Sequence, residues 1–297
     1  MKTPFHRFHS ALLVVAFLFT ALPHHGIALE ASSVEKPVAE IRNYHSPYAL
    51  HFSSTVSELI GDILDGERGN PKVQSSFVFD RWNSKDVLTK YGSWGPPARH
   101  FAIPDGVGSK SADWKRERVI ATALRYQGIS YQHHHIPAWD PPADWPWKKV
   151  GLGHNAPGVD CSNFTSFVYN IALGIKINSD VTKQSELTEM TFADGHKAPI
   201  QRIEKPSTYA EFVSVLKPGD LIFVRNNQEE ISHVIMWVGA ALAAPATTPL
   251  IIDSTGAGHT DSSGVAIPDG VQLRPFEARS WYYKSAAHVF RLIDDAK

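Results

Sequence analysis

"GVDCSNFTSFVYNIALG", residues 158–174, is the stretch on which the fold turns. Phe164, Phe167, Val168, Ile171 and Ala172 fall at helical spacing, and Gly174 is a natural stop. Asp160 stands at the capping position, which puts Cys161, the one cysteine of 297 residues, in the first turn. Free backbone N–H groups and the positive end of the helix dipole favour a thiolate there. A single thiol has no partner for a disulfide within the chain. Cys161 therefore reads either as a small buried hydrophobe or as a nucleophile.

Working outward, VSELIGDIL (56–64) is helix-like, while SSFVFDRW (75–82) and the turn-rich stretch to residue 108 give no assignable fold. DWKRERVIATALRYQG (113–128) sets Ile120, Ala123, Leu124 and Gln127 on one helical stripe. STYAEFVSVL (207–216) offers a further helix, with Thr208 and Glu211 spaced as a capping box. After the turn KPGD the period changes. DLIFV, HVIMWVG, PLIID, GVAIP and AHVFRLI are short β-rich runs separated by turn residues. Helices followed by antiparallel-looking strands read as α+β, with the helix bearing Cys161 packed on the sheet.

The chain opens with a weakly basic segment (Lys2, Arg7), then ALLVVAFLFTAL, then small residues at Gly26 and Ala28. That pattern is expected to be a secretory signal peptide over residues 1–28, the apolar run being short for a membrane anchor. The expected location is periplasmic or secreted, with no stable membrane insertion after cleavage. Residues 29–112 then form a region of unassigned fold and 113–297 a catalytic domain. Beyond residue 28, 27 Lys and Arg stand against 30 Asp and Glu, a net charge of −3. The basic residues are dispersed, so no nucleic-acid footprint is read.

A thiol is a poor nucleophile until it ionises, and the chemistry then calls for a base within hydrogen-bond reach. His233 opens the strand HVIMWVG after the loop RNNQEEIS, so its ring is expected at a sheet edge. A third group must accept the other ring N–H. Asp253 ends the next strand, and antiparallel pairing would bring it beside His233. His259 and Asp261, in the glycine-rich loop beyond, are rivals for that role.

Together GVDCSNFTSFVYNIALG, KPGDLIF and SHVIMWVG, with YQGISY (126–131) ahead of them, resemble the signature blocks of the NlpC-type cell-wall cysteine peptidases. The resemblance runs from about residue 113 to 293. It implies a papain-like hydrolase with Cys161 as nucleophile, His233 as base and Asp253 at a third position that is most often His in that family. It also implies Tyr131, Asp160 and Ser162 as contributors to the substrate or oxyanion site. No cofactor is implied. The implied substrate is a peptidoglycan stem peptide, cleaved between D-glutamate and diaminopimelate.

Three departures stand out: Asn163 where the family usually has Gly, Asp253 in place of His, and a longer stretch between Tyr131 and Cys161. That stretch carries Trp139, Trp145 and Trp147. It reads as a wall of the cleft, a lid, or a loop that simply packs on the domain, with Trp139 and His154 as candidate cleft-lining residues. Adjacent residues of an extended chain point to opposite faces, so at most two of His133, His134 and His135 share one, and no metal site is expected. An amidase, transacylase or deamidase of the same fold, a non-catalytic cell-wall-binding module, and a zinc-binding protein are the alternatives.

Overall fold

The computed structural model describes residues 44–70, 73–82, 84–91, 96–129, 131, 158–240, 242–244, 248–256 and 258–294. The expected signal segment, His133–His135, Trp139, Trp145, Trp147 and His154 lie outside the described residues. Residues 37–297 form one unit. In chain order the helices are α1 (Val56–Leu64), α2 (Lys85–Tyr91), α3 (Ala112–Leu124), α4 (Cys161–Leu173), α5 (Val181–Ser185), α6 (Tyr209–Val215) and α7 (Trp281–Lys284). The strands are β1 (Ala49–Leu50), β2 (Ile175–Lys176), β3 (Glu189–Phe192), β4 (Lys197–Pro199), β5 (Gln201–Glu204), β6 (Leu221–Arg225) and β7 (Ile231–Gly239). After them come β8 (Ala243–Ala244), β9 (Leu250–Thr255), β10 (His259–Thr260), β11 (Ala266–Ile267), β12 (Gly270–Pro275) and β13 (Ala286–Arg291).

The main sheet runs β12-β9-β7-β6-β13-β5, every neighbour antiparallel. Its central strands are apolar at successive positions because both faces are covered. Leu221 and Phe223 of β6, Val234, Met236 and Val238 of β7, and Ile252 of β9 share a core with Phe164, Val168 and Ile171 of α4. The alternate residues Ile222, Val224, Ile235, Trp237 and Ile251 join Phe212 of α6 and Tyr282 of α7 in a second core. Alternation at period two thus assigns each strand residue to one core or the other. This is the α+β arrangement expected, with the cysteine helix laid on the sheet.

The strands β1 to β5, β8 and β10 are not among the runs read from the sequence, and one edge of the main sheet also differs. GVAIP contributes only the short strand β11, paired with β10 in a separate hairpin. The edge of the main sheet is instead GVQLRP, whose Val271 and Leu273 face the first core. Gln272 and Arg274, on the other face, are buried polar residues, and they hide the strand's apolar alternation.

Both ends of α4 are closed. Asp160 caps it by accepting from the Asn163 amide at 2.8 Å. At the other end Arg68 donates to the carbonyls of Ile171 (2.9 Å) and Ala102 (2.5 Å), and Arg118 donates to that of Ala172 (2.7 Å). Arg118 also forms a two-bond pair with Asp62 of α1. Cations on the last carbonyls satisfy orphan acceptors and match the helix dipole. Burial pushes Arg68 down to about 10, opposed by Asp62. The residues before Asp113 are therefore part of the helix's support, and Leu59, Ile60, Ile63, Phe101 and Val107 share the first core.

Gly174 ends α4 with φ +67°, and a Cβ there would lie 2.7 Å from the backbone of Ala102 and Ile103. Left-handed backbone and close approach both demand glycine. Gly174→Ala is expected to destabilise the fold by more than about 1 kcal/mol in urea unfolding. An unchanged midpoint would mean that the 102–103 segment does not pack there.

Candidate active site

Cys161 begins α4 and is buried. His233 lies two residues into β7, and Asp253 is the fourth residue of β9, its antiparallel neighbour. The ring Nε2–H of His233 donates to Oδ2 of Asp253 at 2.7 Å. With Nε2 given to Asp253, Nδ1 is the remaining ring nitrogen, and Cys161 is near enough to push the ring up. Cys161, His233 and Asp253 thus come together, delivered by a helix start and two paired strands.

Residues 148–260 match the NlpC/P60 family. The match covers Cys161, His233 and Asp253 and is shorter than the stretch over which the motifs resemble it. Among solved structures the chain is similar to an NlpC/P60 family protein from Bacillus cereus ATCC 10987, with 20% identity and a TM-score of 0.34 over 60% of this chain and 40% of that one. It is also similar to the NlpC/p60 domain of the peptidoglycan hydrolase SagA, with 17% identity and a TM-score of 0.32 over 60% and 98% of the two chains. The P60 domain of the M. avium paratuberculosis antigen MAP1272c gives 19% identity and a TM-score of 0.36 over 62% and 97%. No curated protein matches the chain.

Within this segment the electrostatics favour a charged His233. Burial works against its charge. Cys161 and the Asp253 hydrogen bond outweigh it and push the ring up to about 10. Burial likewise works to raise Asp253, which is fully buried. The Arg274 guanidinium, with hydrogen bonds from His233 and Tyr282, holds it below the usual carboxylate range.

His259 does not reach His233 directly. Its Nε2 lies 3.0 Å from the Tyr282 hydroxyl, which in turn lies 2.8 Å from Asp253 Oδ2. Burial, helped by Arg274, pushes His259 down to about 4. Asp261 accepts from the amides of Ser263 and Val265, shaping the β10–β11 turn. Of the three candidates for the third position, Asp253 is the one bonded to His233.

Tyr131 lies beside Cys161 and Asp160. Burial first, then those two neighbours, raise its hydroxyl, so it remains a donor. Its ring rests on Gly256, where a Cβ would be 3.3 Å from Cδ1. Ser162 is turned away towards the Ser179 carbonyl at 2.7 Å, and Asn163 donates to the same oxygen at 3.2 Å. The Asn163 departure thus fastens the 178–180 turn to the helix start. Among the described residues no group of three or more His, Cys, Asp or Glu is placed to hold a metal ion.

Three site residues escaped the sequence reading: Arg274, Trp281 and Tyr282. Trp281 is more than a third exposed, with its ring 5.8 Å from that of His233. The one available signal was the charge of Arg274 inside an apolar alternation.

The raised His233 value has a definite sign. A ring at about 10 in the folded protein, against an ordinary 6.5, adds stability that is fully present below about 6.5 and is lost as pH rises through about 10. The pH-dependent stability difference between wild type and His233→Gln is therefore expected to be widest below pH 6.5 and to close near pH 10 in urea unfolding. A difference that does not vary with pH would mean a neutral ring.

Proposed function

We propose that the protein is a cysteine-dependent hydrolase of amide bonds acting on peptidoglycan stem peptides. The observation that carries the reading is Cys161 beside His233, whose ring is hydrogen-bonded to Asp253. The NlpC/P60 match over those residues supports it, and the resemblance of the motifs names the bond between D-glutamate and diaminopimelate. A cell-wall substrate also agrees with a protein acting outside the cytoplasm.

In the proposed reaction His233 takes the Cys161 proton and the sulfur attacks the scissile carbonyl. The tetrahedral oxyanion is met by the Cys161 backbone N–H and the Tyr131 hydroxyl. His233 returns the proton to the leaving nitrogen, the C–N bond breaks and an acyl-enzyme remains. Water, deprotonated by the same ring, attacks the thioester and releases the acid, and the proton goes back to sulfur. Asp253 keeps the proton of the neutral ring on Nε2, so Nδ1 faces the thiol, and stabilises the imidazolium formed in between. Asp160 caps the helix that holds the sulfur, and Ser162 anchors that helix start. No step calls for a cofactor.

Mass spectrometry of muropeptides incubated with the protein tests the reading. The expected product carries a new amine at diaminopimelate, and Cys161→Ala should lower its formation by at least about 10³-fold. Product formation that survives this substitution would overturn the mechanism. A Cys161-dependent cut at a different amide would keep the mechanism and move the substrate.

Alkylation probes the centre without a substrate, and the single cysteine makes the readout unambiguous. His233→Ala should slow the reaction of Cys161 with iodoacetamide at pH 6 by about tenfold or more, since proton transfer to a positioned base contributes on the order of 10²–10⁴. An unchanged rate would remove His233 as the base.

A further inference from the structure

We infer that Arg274 and Tyr282 are positioning residues for His233, acting through the carboxylate of Asp253; this rests on the catalytic reading above. Asp253 sits on β9 opposite Gln272 of β12, and Arg274 is two residues further along the same face. From there its Nε donates to Oδ1 of Asp253 at 2.8 Å. Its Nη2 donates to the Gly270 carbonyl at 2.9 Å and the Pro268 carbonyl at 3.2 Å. A guanidinium is a planar fork, so bonds to fixed carbonyls fix the direction of the Nε–H. One carboxylate oxygen is thereby taken, and the other is turned to the ring.

Tyr282 acts on that second oxygen. A hydroxyl has one proton, and Oδ2 of the carboxylate is an acceptor only, so Tyr282 donates to Asp253. Its contact with His259 must then run from the His259 Nε2–H to the hydroxyl oxygen. The chain of donors reads His259 to Tyr282 to Asp253. The Tyr282 ring also stacks against both imidazoles, 4.9 Å from His259 at 13° and 6.1 Å from His233 at 26°. It therefore constrains the plane of the base as well as its carboxylate.

The arrangement has a charge logic. When the Cys161 proton passes to His233, the row Cys161, His233, Asp253, Arg274 carries alternating −, +, −, + charges. Each interior charge then has an opposite neighbour on both sides. Without Arg274 the buried carboxylate would draw a proton, and a neutral acid neither fixes the ring's proton nor supports an imidazolium.

The test is the iodoacetamide alkylation rate of Cys161 across pH 5–9 in the full-length protein, with thermal melting as a check on folding. Arg274→Lys keeps the charge and loses the fork. Its profile is expected to move up by about one pH unit, a roughly tenfold slower reaction at pH 6, with the alkaline plateau unchanged. Tyr282→Phe removes one hydroxyl, is the milder change, and should shift the profile the same way by less. It keeps the inference testable if Arg274→Lys does not fold. Profiles that superimpose on a fast wild type in every folded variant would overturn this inference alone. A wild-type rate at pH 6 no greater than that of a small free thiol would overturn the catalytic reading and this inference with it.

Discussion

A fully buried carboxylate constrains this structure more than any other group. Asp253 is fully buried on the strand next to the sheet's edge, where an isolated negative charge would be prohibitive. It is tolerated because three side chains from three different elements donate to it: His233 from β7, Arg274 from β12 and Tyr282 from α7. Each donor requires its element to be in place. The edge strand must pair in the register that sets Gln272 opposite Asp253. The short helix after Glu277 must dock over the second core. A local electrostatic demand thus fixes long-range topology.

The cysteine reaches the same place from the other layer. Its helix belongs to the first core, whereas the strand face that carries His233 and Asp253 continues into the second through Ile235, Trp237 and Ile251. Ser254, the next residue along β9, points the opposite way and donates to the Val159 carbonyl at 2.7 Å. Two adjacent residues of one strand therefore hold the two halves of the site. Asp253 bonds the His233 ring and Ser254 pins the chain just before Cys161. Arg68 and Arg118 resist displacement of the helix from its far end. This gives the segment before Asp113 a physical task remote from the thiol.

Much of this was legible in the sequence, for reasons specific to each element. The helix after Asp160 announces itself because its cap, apolar stripe and terminal glycine all agree. The Thr208 capping box is present as spaced, with Thr208 and Glu211 bonded reciprocally. The meeting of His233 and Asp253 follows from the antiparallel pairing of two strands close in sequence. Arg274 and Tyr282 were not read from the sequence: a charge inside an apolar alternation is a signal, but it does not say whether the arginine is buried or solvated. Its partner is twenty-one residues away. The same arginine disguised its own strand, so the weaker run GVAIP attracted the assignment. The supporting role of residues 44–112 was hidden too, since Arg68 bonds to backbone carbonyls, which any helix offers.

The neutral end of the network completes the argument. His259 is three hydrogen bonds removed from His233, and burial together with Arg274 keeps it uncharged from about pH 4 up to about 10, where His233 is charged. Two histidines within one cluster thus take opposite states, because one faces a thiol and a carboxylate while the other faces a hydroxyl near a guanidinium. If both were cationic, Asp253 would have to balance three positive charges. The depressed histidine therefore supplies a donor to Tyr282 without adding charge, which leaves the alternation from Cys161 to Arg274 intact.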